Sequence, residues 1–106
     1  MDNKRISDHI SFSEEKMKKN SLFDSGRMFY DVYCLLPGQS QKVHSHEDSD
    51  KVYYVVEGTG AFTVGEEERA LGPGNAVMAS AGEPHGVRNA TEEDLVLLVT
   101  MAPRPS

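Results

Sequence analysis

Short strand-like segments separated by glycine turns constrain the fold of this chain more than any other feature. From residue 28 to 36, side chains alternate with period two, and β-branched and aromatic residues are frequent. Further short apolar runs follow, bounded by turn signals, at residues 52–57, 61–64, 69–71, 76–79 and 95–101. No segment shows periodicity over the length of a helix. The pattern predicts an all-β sandwich or small barrel.

The length, net charge and cysteine content of the chain limit the kinds of domain, partner and location that we expect. The 106 residues suffice for one domain and are too few for two. A net charge of -6 argues against nucleic acid or an anionic membrane as a partner. The single cysteine, Cys34, cannot form an internal disulfide. Because the first residues lack a signal-peptide pattern and no apolar run has the roughly 20 residues of a membrane helix, we expect a cytoplasmic protein.

The chain divides into three parts: an N-terminal arm (residues 1–25), a barrel (26–102) and a loose tail (103–106). The arm is polar and carries a small basic cluster of three lysines, Lys16, Lys18 and Lys19. We interpret this cluster as a solvated surface in preference to a binding patch. The arm itself is expected to pack on a partner chain.

Three histidines form the strongest functional pattern. His44 and His46 stand one residue apart, so on a strand their imidazoles point to the same face. His85 lies far along the chain, within Gly-Glu-Pro-His-Gly. Three neutral imidazoles could bind Zn, Ni, Fe or Cu and leave positions open for water or substrate. The alternative is that they fill the barrel and bond to one another or to water; for all three together we favour the metal.

These residues lie in two motifs that resemble those of the small single-domain cupins. The first motif (Gly, five residues, His-x-His, four residues, a ligand position, six residues, Gly) is matched over residues 38–58, and the second over 74–89. Together they span about half of the chain. The resemblance implies a single-domain jelly-roll β-barrel, a homodimer, and a divalent transition metal bound by His44, His46 and His85.

Two positions depart from the cupin pattern. Ser80 replaces a proline, which only loosens a turn. Lys51 stands where the family has a metal-binding Glu, and an ammonium has no lone pair and repels a cation. Lys51 has three open interpretations: a neutral buried amine acting as base or anchor, a cation that binds an anionic substrate group, or a side chain that reaches solvent. No fourth protein ligand is expected, since Glu47, Asp48 and Asp50 are placed away from the metal.

Neighbouring residues complete the predicted pocket. Tyr53 and Val55 share the parity of Lys51, and Tyr53 is a second candidate for handling protons or positioning substrate. Three more residues could line the pocket, although core packing explains each of them more simply: Phe62, Met78 and Cys34. Asn89 is expected to fix a turn.

Two functions of different class follow from this pattern. The first is a metal-dependent enzyme acting on a small polar or anionic molecule, with dioxygenase, isomerase or decarboxylase chemistry. The second is a non-catalytic cupin that binds a small ligand or acts as a sensor, with or without metal. Because cupins include both, the resemblance leaves open whether the chain is an enzyme.

Overall fold

A computed structural model describes residues 1–105, which form nine strands and one short 3₁₀ helix. The strands are β1 (Lys18–Asp24), β2 (Phe29–Leu35), β3 (Ser40–His44), β4 (Asp50–Glu57), β5 (Gly60–Val64), β6 (Glu67–Leu71), β7 (Ala76–Ala79), β8 (His85–Arg88) and β9 (Leu95–Ala102). The helix spans Ile6–His9. Among the described residues, no helix has the length and apolar character needed to cross a membrane.

Two antiparallel sheets make the barrel. Sheet A has the strand order β1-β2-β9-β4-β7, and sheet B has the order β3-β8-β5-β6. Neighbours in the sheets are often distant in sequence: β9, at the end of the chain, lies between β2 and β4. This arrangement confirms the predicted all-β jelly-roll fold.

The main core lies between the two sheets. Alternate residues of β2, β4 and β9 point inward, as period two requires, and meet apolar residues of sheet B. The core consists chiefly of Tyr33, Leu35, Tyr53, Val55, Phe62, Val87, Leu95, Leu97 and Val99. Burying each such side chain contributes roughly 1.5–3 kcal/mol, so this cluster is the main source of stability.

The outer face of sheet A is also apolar, and the N-terminal segment covers part of it. A second buried cluster on this face consists of Leu22, Val32, Cys34 and Val96. Apolar side chains of the N-terminal segment pack against it: Ile6, Ile10 and Phe12. Cys34 therefore points away from the barrel interior; the core packing favoured from the sequence is confirmed, and Cys34 does not line the pocket. Both faces of β2 are largely apolar, so alternation could not tell which one faces inward.

The two termini are joined to the barrel. Residues 18–24, assigned to the arm from sequence, form the edge strand β1 and pair with β2. The packing of the arm on a partner chain stays a prediction. In the tail, the guanidinium of Arg104 donates to both carboxylate oxygens of Asp24, at 2.6 and 3.1 Å. The last tail residue, Ser106, lies outside the described residues.

Candidate metal centre

Sheet B brings the three histidines together. His44, the last residue of β3, lies opposite His85, the first residue of β8, and His46 follows in the loop after β3. The ring centroids of His44 and His85 are 4.5 Å apart, those of His44 and His46 are 4.9 Å apart, and those of His46 and His85 are 5.7 Å apart. One ligand nitrogen from each histidine lies within 4.8 Å of the other two.

A bulge in β3 turns His44 inward. Strict alternation would place Gln41 and His44, three residues apart, on opposite faces, but the pairing with β8 shifts between them. The bulged backbone passes so close to Gly86 that a Cβ there would lie 2.8 Å from the carbonyl oxygen of Gln41 and 2.9 Å from the amide nitrogen of Val43. Only glycine fits beside His85 without moving this backbone.

Backbone carbonyls fix the tautomers of two histidines. Nδ1 of His44 lies 2.7 Å from the carbonyl oxygen of Lys42, and Nδ1 of His85 lies 2.9 Å from that of Glu83. A carbonyl can only accept a hydrogen bond, so Nδ1 carries the proton and donates it in each case. In the neutral ring, Nε2 of each then carries the lone pair, as in histidines that bind metals.

An unpartnered nitrogen tests whether these residues fit a metal. Nε2 of His85 is buried and has no hydrogen-bond partner within residues 1–105. Leaving such an atom unpaired costs about 1–3 kcal/mol, and a bound ion would supply the missing partner. Burial lowers the pKa of His85 and of His46, with the His44 ring contributing to both, which favours the neutral imidazoles that ligation requires. The donor set fits a divalent transition metal.

Lys51 lies inside the barrel, with 1% of its surface exposed. Its Nζ donates to Oε1 of Gln41 at 3.1 Å and lies 5.0 Å from the ring centroid of Tyr53 and 5.3 Å from that of Tyr33. Burial lowers the pKa of Lys51 to about 7, and the Lys19 cation adds to this lowering. The interpretation in which Lys51 reaches solvent is therefore wrong.

Tyr53 also forms a hydrogen bond to Gln41. Its hydroxyl donates to Oε1 of Gln41 at 2.8 Å, and its ring packs on Phe62 with centroids 5.4 Å apart. The ring centroid of His85 lies 6.4 Å from that of Tyr53. Burial raises the pKa of Tyr53, so the phenol stays protonated and remains a donor to Gln41.

Other predicted neighbours divide between the interior and the surface. Phe62 is buried in the interior core, whereas Met78 is 53% exposed and does not belong to it. Asp50 is exposed, and its carboxylate accepts the amide of Ala81 at 2.8 Å. Among the described residues, no carboxylate joins the three histidines in their cluster.

Asn89 fixes the loop between β8 and β9 and ties it to the end of β2, as predicted for a turn residue. Its buried side-chain amide donates to the carbonyl oxygens of Leu35 and Glu93, and its Oδ1 accepts the hydroxyl of Thr91. Sequence reasoning missed Gln41, which contacts Lys51. Its position three residues before His44 indicated the opposite face, and nothing in the sequence marks the bulge.

Comparison with known proteins decides the family. The sequence profile of the cupin domain matches residues 31–101. The chain belongs to the cupin family. The crystal structure of TT1209 from Thermus thermophilus is similar to this cupin, with 54% identity and a TM-score of 0.96, over 99% of this chain and 100% of that one.

Two curated proteins are also similar to this cupin. An oxalate-binding protein from Thermotoga maritima is 27% identical over 85 residues, which are 80% of this chain and 69% of that protein. The pectin degradation protein KdgF from Dickeya dadantii is 38% identical over 61 residues, which are 58% of this chain and 54% of that protein. The family and the histidine cluster together describe a small-ligand cupin with a candidate metal site.

Proposed function

We propose that this cupin binds a divalent transition metal through His44, His46 and His85, and holds a small anionic molecule between that metal and Lys51. One observation carries the proposal: the buried, unpartnered Nε2 of His85 belongs to a group of three histidines whose ligand nitrogens lie within 4.8 Å of one another. A lone pair that the fold orients and leaves without a protein partner is suited to a metal ion.

Each residue of the site has a distinct proposed role. When bound, Zn, Ni, Fe or Cu would supply a Lewis acid with open coordination positions. Lys51 presents an amine that accepts a proton at Nζ when neutral and pairs with an anion when charged. Tyr53 positions this amine indirectly, because both side chains bond to Oε1 of Gln41. Lys51 and Tyr53 thus serve proton transfer or substrate positioning in an enzyme of dioxygenase, isomerase or decarboxylase type.

Two observations support an anionic ligand. Lys51 occupies the position where the cupin motif has Glu, so a carboxylate that would repel an anion is exchanged for an amine that can attract one. In addition, one curated relative is named for binding oxalate, a small dicarboxylate. We take small carboxylates as the first class of molecule to test.

A metal-free, non-catalytic binding or sensor cupin is the second candidate. The buried Lys51 favours it, because a cation on this side of the barrel opposes the approach of a metal ion. In either form we propose a cytoplasmic homodimer, in which two-fold pairing would cover exposed sheet edges. Light scattering on the purified protein tests the dimer.

Metal content of protein purified without a histidine tag tests the proposal. We expect close to one metal per chain, lost in His85→Ala and kept in His9→Ala, which removes a histidine outside the cluster. Metal-free wild-type protein, whose unfolding temperature does not change when Zn or Ni is added, would reject the metal site and favour the second candidate.

A substitution at Lys51 tests the departure from the cupin motif. Lys51→Glu restores the family's ligand type and is expected to tighten Zn binding by about tenfold or more, while it weakens oxalate binding. Lys51→Gln is the matched control, because it removes the amine without adding a carboxylate. Equal Zn affinity in the two variants would mean that position 51 does not face the metal.

A further inference from the structure

A cavity opens on one flank of the barrel, where the edge strand of each sheet leaves a gap. It has a volume of about 820 Å³ and lies between the segment that leads into β1 and strand β3. The polar side chains that line it are Ser13, Lys16, Lys18, Lys19 and Gln41. Within residues 1–105, no acidic residue lines this cavity, which we call the flank cavity, although the whole protein carries a net charge of -6.

Hydrogen bonds hold the walls of the flank cavity in place. The side-chain amide of Gln39 donates to the carbonyl oxygen of Ser13 at 2.6 Å, which joins the N-terminal segment to the start of β3. On the other wall, Lys19 pairs with Tyr33 in the register of β1 and β2. The lysines are therefore presented by ordered backbone, although their side chains are exposed.

Gln41, which contacts Lys51, forms the inner wall of the cavity. Oε1 of Gln41 accepts Nζ of Lys51 and the hydroxyl of Tyr53, so one side chain separates the cavity from the buried amine. Gln41 precedes His44 by three residues, which places their Cα atoms within about 10 Å of each other along the strand. The cavity thus lies next to the candidate metal centre.

The amines of Lys19 and Lys51 lie around one aromatic ring, that of Tyr33. Their Nζ atoms lie 5.4 and 5.3 Å from the ring centroid of Tyr33, so they are at most about 11 Å apart. After burial, the Lys19 cation is the largest influence that lowers the pKa of Lys51, while the half-buried Asp31 opposes it. An anion bound near both amines would favour the charged form of Lys51, as Asp31 does.

We propose that the flank cavity is the entrance through which a small carboxylate reaches the site. Lys16 and Lys19 attract the anion, and Gln41 lies between the cavity and Lys51. The inference rests on the proposed function, because the molecule that enters is the one that the metal and Lys51 would hold. It assigns a binding role to the basic cluster, which the sequence pattern indicated to be a solvated surface.

Calorimetric titration with oxalate as the probe tests the entrance in zinc-loaded and metal-free protein. The double variant Lys16→Gln/Lys19→Gln is expected to bind oxalate about tenfold more weakly and to lose most of the salt dependence of binding. Lys4→Gln removes one positive charge from a lysine outside the cavity and is the control for the single variants Lys16→Gln and Lys19→Gln; it should change the affinity less than twofold. Because oxalate chelates zinc, the zinc content is measured again after each titration.

Zinc affinity, measured without oxalate, separates the two hypotheses. The double variant should bind zinc no more weakly than wild type does, since neither lysine belongs to the histidine cluster and Lys19 acts on His46 only through its charge. If zinc binds but oxalate affinity is equal in wild type and the double variant, or falls equally in Lys4→Gln, the entrance is overturned and the proposed function stands. If no zinc binds but oxalate affinity still depends on Lys16 and Lys19, the cavity remains an anion site and the metal proposal fails.

Discussion

The two ends of the barrel interior lie on the same strands but differ in polarity: one end is apolar, and the other is polar. Along β4 the inward residues are Lys51, Tyr53 and Val55, which change from a cation through a phenol to an aliphatic side chain. Near Val55 the neighbours are aliphatic, as at Leu97, whereas the other end has the histidines. The apolar end stabilises the fold. The polar end carries a buried amine and an unpartnered nitrogen that a purely structural core would exclude.

Truncating the apolar end should give the largest effect on stability. Leu97 is fully buried between β2 and β4, so Leu97→Ala is expected to lower the free energy of unfolding by about 2–5 kcal/mol through lost burial and a cavity. Urea denaturation measures this loss. If the two ends are independent, zinc affinity at a temperature where the variant is folded should stay within about threefold of wild type; a larger loss would break the comparison.

The polar end should instead oppose folding in a pH-dependent way. The pKa of Lys51 is about 7 in the folded chain and 10.5 in its ordinary state, so between these values the unfolded chain binds more protons. The free energy of unfolding therefore rises with pH, by about 3 kcal/mol between pH 7 and 9.5 in metal-free protein.

The variant Lys51→Met isolates this contribution. It keeps the length of the side chain without the amine, so its free energy of unfolding should lack the rise that wild type shows. Urea denaturation at several pH values, with the variant subtracted from wild type, removes the contributions of all other groups. If the free energy of unfolding changes with pH equally in the two proteins, the charge of the buried Lys51 amine does not destabilise the fold.

The smallest effect is expected at the junction of β3 and β8. In Gly86→Ala the new Cβ meets backbone atoms of Gln41 and Val43, so the bulge must move and take His44 with it. Zinc affinity should fall by about tenfold, as when residues that support a ligand are changed. Gly26→Ala is the control, because its Cβ would meet no atom within 4 Å. Unchanged zinc affinity in Gly86→Ala would argue that the bulge does not position His44.

Sequence patterns predicted much of the fold because burial on one face repeats every two residues. The segments around β2, β4, β5, β6, β7 and β9 were identified from this alternation or from short apolar runs bounded by turns. Strand β1 was missed because its side chains are mostly exposed, so no apolar alternation marks it. Alternation did not show which face of β2 lies inward, since the cover that the N-terminal segment supplies to the outer face has no signature in the strand itself.

The sequence by itself determined the class of fold and the three histidines that meet, because strand alternation and motif spacing are local properties of the chain. Only the tertiary structure decided the surroundings of Lys51 and the role open to the lysines near β1. Those depend on a bulge between Gln41 and His44, which lets both side chains reach the interior, and on two edge strands that line one cavity. Contacts between distant segments follow from how the sheets pack, and packing is set by the whole chain at once.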